Sequence, residues 1–441
     1  MLYRKIRSYI DAHLRSNEDK ILLIEGARQI GKSYIIRDVG TELYDNYVEI
    51  NFVEDDAGDK IFRNVRTTEE FYLNLSMVAG FKLDKYENTL VFIDEIQHYP
   101  QFLTMLKFLR QEHRYRFICS GSLLGIALKK TVSVPVGSII PKKMYQLDFE
   151  EFLIANDFGE DAIVHLRKSF EQKQPLAPEV HDKVLSLFKR YLLVGGMPDA
   201  VNEYLNSHNI VKVREAQESI RELYGVDASR YEEDAAKKLY IRRIYDMIPS
   251  QMENKKKRIV AKDILDRKGD RFSNYMEEFE YLINSGITIA SNAISNPKYP
   301  LAESQQKNLL KLYMNDVGML SSQLYHYNIQ PILNDIASIN LGSVYESAVA
   351  QELKAHYEKL FYYDNKQKGK VDFLVADSGT MSVLPIEVKS GKDYTVHSAL
   401  DNLMTIQDYH IISSIVLSNE REIKTKGNIL YLPIYYVMFL E

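Results

Sequence analysis

Short apolar runs alternate with helical stretches along the first 150 residues. Runs of strand character are Ile21–Ile24, Tyr47–Phe52, Leu90–Ile93, Phe117–Cys119 and Met144–Leu147, with helical stretches such as Thr67–Ala79 and Phe102–Glu112 between them. Alternation at this spacing predicts an α/β domain with a parallel sheet and crossover helices. From Asp148 to about Arg230 the pattern turns helical, broken at Gln174-Pro175 and at Gly195-Gly196-Met197-Pro198. Short helices then dominate from about Glu232 to Leu324, with one hairpin-like piece, GITIASNAISNPKYPL. After Gln330-Pro331 a helix is predicted from about Gly342 to Glu358, and mixed strand and helix runs to Glu441.

At roughly 100–200 residues per domain, the 441 residues predict about three domains. With 45% hydrophobic and 27% charged residues, each can bury a real core, which excludes bulk disorder. A net charge of −5 excludes a wholesale polyanion binder, so any nucleic-acid contact must come from a local patch. A single cysteine, Cys119, excludes an internal disulfide framework and a multi-cysteine zinc site, and inside its apolar run it reads as a small core residue. The opening MLYRKIRSYIDAHLR lacks the apolar core of a secretory signal. The longest apolar stretch, Ile429–Leu440, is interrupted by Pro433 and falls short of the ~20 residues that span a bilayer. Together these features predict a soluble, cytoplasmic protein without membrane contact.

The strongest chemical signal is Gly26-Ala27-Arg28-Gln29-Ile30-Gly31-Lys32-Ser33, a match to GxxxxGK[ST] between a buried-type strand and a predicted helix. Glycines let the backbone wrap close around phosphate, so that its N–H groups point at the oxygens. Lys32 is then expected to reach the β/γ-phosphates of ATP, and the Ser33 hydroxyl to ligate Mg²⁺. The second half is Leu90-Val91-Phe92-Ile93-Asp94-Glu95, whose carboxylates sit at the C-terminal end of a strand, where α/β ligands bind. Asp94 is expected to hold Mg²⁺ and Glu95 to polarise the attacking water. Ser120, in Ser120-Gly121-Ser122 at the tip of a third strand, is a candidate hydrolysis sensor; the alternative is an ordinary turn.

GARQIGKS, FIDEIQ, CSGSLL, YQLDFEEFL and Val194-Gly195-Gly196-Met197-Pro198 resemble the prokaryotic AAA-type ATPases whose C-terminal half is a conserved domain of unknown function. The resemblance covers essentially the whole chain. It implies an AAA+-like P-loop ATPase domain over 1–155, a helical lid over 156–230, a winged-helix-like domain over 231–330 and a restriction-endonuclease-like domain over 331–441. The chain departs from that family at Gly137-Ser138, where Gly-Arg is usual. A charge-stabilising arginine is expected on general grounds. Arg28, Arg110, Arg114, Arg116 and another subunit all stay open as its source, so a homo-oligomer is compatible with the sequence.

Lys255 to Arg271 carries eight basic residues against Asp263, Asp266 and Asp270, the steepest local positive excess in the chain. With FSNYMEEFEYLINSGI following, it fits a winged-helix module whose helix and basic loop contact DNA. A solvated helix face is the plainer alternative. Further on, Asp372 and the Pro385-Ile386-Glu387-Val388-Lys389 run have the form D…ExK. A two-residue turn at Ser378-Gly379 would set Asp372 opposite Pro385 and make Asp372 and Glu387 diagonal neighbours on one face. Pro385 itself predicts an edge or bulged strand. Glu346 shares a helix face with Val349 and Leu353, and a carboxylate aimed at a core needs something to bind it. Glu346, Asp372, Glu387 and Lys389 resemble the metal site of the PD-(D/E)xK nucleases, with a second Mg²⁺ or Mn²⁺ shared by the acids. A nuclease fold without cleavage fits the same pattern.

The expected function is a Mg²⁺-dependent ATPase that couples nucleotide state to engagement of DNA, branched DNA included. Two alternatives stand beside it: a nucleotide-dependent switch with slow hydrolysis that recruits a partner protein, and an ATP-linked metal-dependent nuclease.

Overall fold

The computed structural model describes residues 2–80, 88–122, 137–230, 234–254, 257–267, 269–334, 340–391 and 393–441, the side chains of 228–230 and 306–308 aside. Leu123 and Leu124 of the CSGSLL motif, and Lys255, Lys256 and Lys268 of the basic run, lie outside these residues. The chain divides into two compact units, 3–145 with 284–286, and 146–283 with 287–441.

The first unit is built on strands β1 (Ile21–Glu25), β2 (Asn46–Asn51), β3 (Thr89–Asp94), β4 (Arg116–Gly121) and β5 (Ile139–Lys143), in the spatial order β2-β3-β4-β1-β5. All neighbours are parallel. Parallel strands need crossovers, and helices Lys32–Leu43, Thr68–Ala79 and Gln101–Gln111 stand between successive strands. Thr67 and Glu70 form a reciprocal capping box at the start of the second of these. β1 and β3 are buried along nearly their whole length, as strands covered on both faces must be. Phe52, Phe62, Phe71, Phe102 and Phe117 cluster in the core, and Cys119 is fully buried among apolar neighbours.

The fifth strand was expected at Met144–Leu147 but runs over Ile139–Lys143. It is an edge strand with an exposed half, so its Ile-Ile-Pro-Lys-Lys composition hides it from an apolar-run reading, while Met144 and Leu147 are buried outside it.

In the second unit, helices Phe149–Ala155, Glu160–Glu171, Pro178–Val194, Pro198–Ser207 and Ile210–Arg230 follow one another. Helices Ala235–Glu253, Lys262–Leu265 and Met276–Asn284 come next, and Ala235–Glu253 is longer than the short helices expected there. They precede β6 (Thr288–Ile294) and β7 (Gln305–Met314). The hairpin-like piece at 286–301 thus holds only β6; its antiparallel partner is β7, with Thr288 opposite Met314. The chain continues through helix Gly342–His356 into β8 (Leu360–Asn365), β9 (Gly369–Asp377), β10 (Ser382–Val388), β11 (Ser414–Ser418), β12 (Lys424–Lys426) and β13 (Ile429–Pro433). These join β6 and β7 in one mixed sheet, in the order β12-β13-β11-β10-β9-β8-β6-β7, which draws strands from both sides of residue 330.

Two details of the β9–β10 hairpin differ from expectation. Asp377 accepts the N–H groups of Gly379 and Thr380, making a four-residue turn in place of the two-residue one. The register moves by two, so the side chains keep their faces and Asp372 falls directly across from Glu387. Pro385 lies in an internal strand, not at an edge. It is tolerated because pairing with β11 begins only at Ile386. Helix Gly342–His356 is buried on every side from Ser343 to Leu353, not along one face as its Glu346–Val349–Leu353 spacing suggested.

Candidate active site

The phosphate-loop sequence lies between β1 and helix Lys32–Leu43. Gln29 and Gly31 take left-handed backbone, φ 64° and 90°, and Gly31 is the N-cap of the helix. Only glycine adopts that conformation freely, which is why the motif needs one there. The first N–H groups of a helix lack intrahelical partners, which makes the end of such a loop a place where phosphate can bind. Within the loop Gln29 is exposed and Arg28 half-buried, whereas Ala27 and Ile30 are buried.

Lys32 is buried, and its Nζ donates to the carbonyls of Gly26 (3.0 Å) and Ala27 (2.8 Å). Burial pulls its pKa down, against the carboxylates of Glu95 and Asp94. Ser33 Oγ donates to Asp94 Oδ2 at 2.7 Å. This hydroxyl–carboxylate pair is the hard oxygen donor set that Mg²⁺ takes alongside phosphate and water. Among the described residues no group of three histidine, cysteine or acidic side chains could hold a metal ion by itself. Asp94 ends β3; its burial raises its pKa, which a hydrogen bond from Ser120 opposes. Thus the chemistry of Ser33 and Asp94 fits Mg²⁺, and that of the loop and Lys32 fits the phosphates of ATP.

Glu95 follows Asp94 with left-handed backbone, φ 53°. The turn sends its carboxylate to Ser122 Oγ, which donates at 2.9 Å, and to the Gln97 amide. Gln97 Nε2 also donates to Ser122 Oγ at 3.0 Å. Burial alone would push the Glu95 carboxyl up; Lys32, Arg28 and these two hydrogen bonds bring it below its ordinary value. It is therefore held as an anion. Ser120, expected near the attacking water, instead donates to Asp94 Oδ1. The serine that reaches Glu95 is Ser122, two residues on and therefore on the same face. Gln97 was not anticipated, although its place just after the acid pair was the available signal.

Of the four arginines, three stand at the opposite ends of the strands from the loop. Arg116 begins β4 and donates to His13 O; Arg110 binds Asp19 and Gly137 O; Arg114 lies 4.5 Å over the Tyr72 ring. Ser138, the site of the departure from Gly-Arg, accepts the N–H of Ile21 at that same end. Arg28 alone stands in the loop, and its charge acts on both Lys32 and Glu95.

The C-terminal residues also come together. Val388 N–H donates to Asp372 Oδ2 at 2.9 Å, and Lys389 pairs with Glu387 Oε1 at 2.8 Å. Burial and the facing Asp372 push the Glu387 carboxyl up to about 7. Both oxygens of Glu346 are taken by Lys311 and Lys257, each at 2.7 Å, two lysines the sequence reading did not connect with it.

Residues 18–153 match the family model of an AAA domain. Residues 185–327 and 341–437 match two domains of unknown function, DUF8612 and DUF4143. No curated protein matches. Among solved structures, the Walker-type ATPase PABY2304 of Pyrococcus abyssi is 15% identical, with 73% of this chain and 95% of that chain covered and a TM-score of 0.43. AMPPCP-bound DnaA from Aquifex aeolicus is 12% identical, with 64% and 89% covered and a TM-score of 0.29. The chain contains an AAA+-type P-loop ATPase domain and is an ATP hydrolase. Among the described residues no helix is long and apolar enough to cross a membrane.

Proposed function

We propose that this protein is a Mg²⁺-dependent ATPase that couples its nucleotide state to engagement of DNA. The observation that carries the ATPase chemistry is the convergence of Lys32, Ser33, Asp94 and Glu95 at the C-terminal ends of β1 and β3. The loop N–H groups and Lys32 bind the phosphates, and Ser33 and Asp94 would hold Mg²⁺, which when bound neutralises phosphate charge. Glu95, oriented by Gln97 and Ser122, accepts the proton of the attacking water. Ser120 holds Asp94 in place.

Support for DNA engagement comes from the second unit. Three helices followed by the β6–β7 pair have the element order of a winged helix, and Lys262, Arg267 and Arg271 lie in its middle helix or in the segment that follows it. We retain 1–155, 156–230, 231–330 and 331–441 as the ATPase, lid, winged-helix-like and restriction-endonuclease-like parts, the last two sharing a sheet. One observation favours the switch reading: Gln97 and Ser122 both donate to Glu95 Oε2 and, with Lys32 and Arg28, hold its carboxyl below its ordinary value, which makes it a weaker base and turnover slow. In that reading a partner protein is the output. The nuclease reading lacks such support, because Glu346 is occupied by lysines.

The test is steady-state ATP hydrolysis without polymer, and with single-stranded, duplex and branched DNA and RNA, beside a Lys32→Ala control. Stimulation by a DNA form that disappears in the control is the expected result. Flat turnover across the panel rejects DNA coupling and leaves the switch.

A further inference from the structure

Three elements of the second unit meet at Glu346. Helix Gly342–His356 supplies the carboxylate, 1% exposed. β7 supplies Lys311, 3% exposed, and Tyr313, which two-residue periodicity sets on the same face. Lys257 comes from the segment after helix Ala235–Glu253.

Lys311 Nζ and Tyr313 Oη both donate to Oε1 at 2.7 Å, and Lys257 Nζ donates to Oε2 at 2.7 Å. Lys311 is held from a second side, with its Nζ 4.6 Å from the centre of the Tyr362 ring. Beyond them, Asp372 Oδ2 accepts Val388 N–H and Glu387 Oε1 faces Lys389. Lysine burial of this kind is costly without a paired anion, so the ammonium groups and the carboxylate depend on one another.

A divalent cation of the kind the nuclease pattern implies takes six or more hard oxygen ligands. Here both oxygens of Glu346 already carry ammonium groups, and a metal placed on them would face two positive charges at hydrogen-bond range. Glu346 therefore does not fit the metal as a ligand. We propose that Lys311 and Lys257 are the resident cations of this acid cluster, which acts as a metal-independent electrostatic junction joining helix Gly342–His356 to β7 and to the basic segment. Two of the basic run's residues are thereby engaged inside the unit: Lys257 with Glu346, and Arg258, which faces Asp364 at 3.7 Å. The remaining phosphate-facing candidates in the described part of the run are Lys262, Arg267 and Arg271.

The experiment uses the full chain without nucleotide and has two arms. In the first, Mn²⁺ is titrated calorimetrically into wild type, Asp372→Asn and Glu387→Gln. Any metal at the phosphate loop is common to all three, and superimposable isotherms are expected. Loss of a Mn²⁺ equivalent in either variant overturns the proposal. In the second, Lys311→Met and Glu346→Gln are unfolded thermally, alone and together. Each single change is expected to lower the midpoint by on the order of 5–10 °C by stranding a buried charge, and the double change to recover most of the loss. Additive losses overturn it. If Lys311→Met does not fold, the metal arm decides alone.

Discussion

The carboxylate of Asp316 accepts the backbone N–H of Gly196 at 2.6 Å. Asp316 caps helix Val317–Tyr325 through Met319 N–H and is completely buried. Its approach explains the two glycines of the Gly195-Gly196-Met197-Pro198 element. A Cβ on Gly195, at φ 74°, would stand 2.1 Å from Asp316 Oδ1, and one on Gly196 would stand 2.0 Å from Leu147 O. The motif therefore serves packing within the second unit.

Gly196→Ala should destabilise that unit by about 1–3 kcal/mol or more, since a backbone carbonyl cannot move aside as a side chain can. Thermal unfolding measures it. An unchanged midpoint would show that the backbone relaxes there at little cost.

Asp316 also predicts a pH dependence. Burial raises its carboxyl to about 6, from an ordinary 3.8. The folded state then binds a proton more tightly than the unfolded chain. Its ionisation costs stability above pH 6, and that cost is relieved as pH falls from about 6 to about 4. The two-unit difference corresponds to about 3 kcal/mol at most. Stability of wild type relative to Asp316→Asn, measured by denaturant unfolding from pH 7 to 4.5, should rise as pH falls. A flat difference refutes the assignment.

Glu95→Gln should bind ATP as wild type does but turn it over about 10²-fold or more slowly, since the amide cannot accept the water's proton. Equilibrium nucleotide binding and single-turnover hydrolysis separate the two effects. Wild-type turnover in this variant would remove Glu95 from the chemistry.

Gln97→Ala and Ser122→Ala each delete a donor that stabilises the ionised Glu95. The acidic limb of the kcat–pH profile should move to higher pH in both, with nucleotide affinity little changed. A profile that keeps its position would mean that these contacts do not bear on the base.

Ser120→Ala removes the hydroxyl that holds Asp94 Oδ1. The Mg²⁺ concentration needed for half-maximal turnover should rise about 10-fold or more, as for other groups that orient metal ligands. An unaltered Mg²⁺ requirement would return Ser120 to the sensor role expected from sequence.

Much of the first unit was legible in the chain because its chemistry is written over consecutive residues. Gly26 to Ser33, and Leu90 to Glu95, carry both the secondary structure and the functional groups within one strand and its turn. Elsewhere legibility fell with the distance between partners. Ser120 and Ser122 share a tripeptide and a face, and only the register of β4 against β3 decides which meets Asp94 and which meets Glu95. The pairing of Asp372 with Glu387 survived a wrong turn length, because an error of two residues preserves the face whereas an error of one would have reversed it.

By itself the sequence determined the parallel α/β core, the phosphate loop and the acid-tipped strand, since hydrophobic periodicity and glycine placement are local properties of the backbone. Only the tertiary structure decided what neutralises the buried charges. Glu346 finds Lys311 and Lys257 from 35 and 89 positions away, and Asp316 finds Gly196 from 120 away. Burying a charge requires a partner but does not specify which one, and the partner is whichever group the packing of helices and sheet brings within hydrogen-bond range.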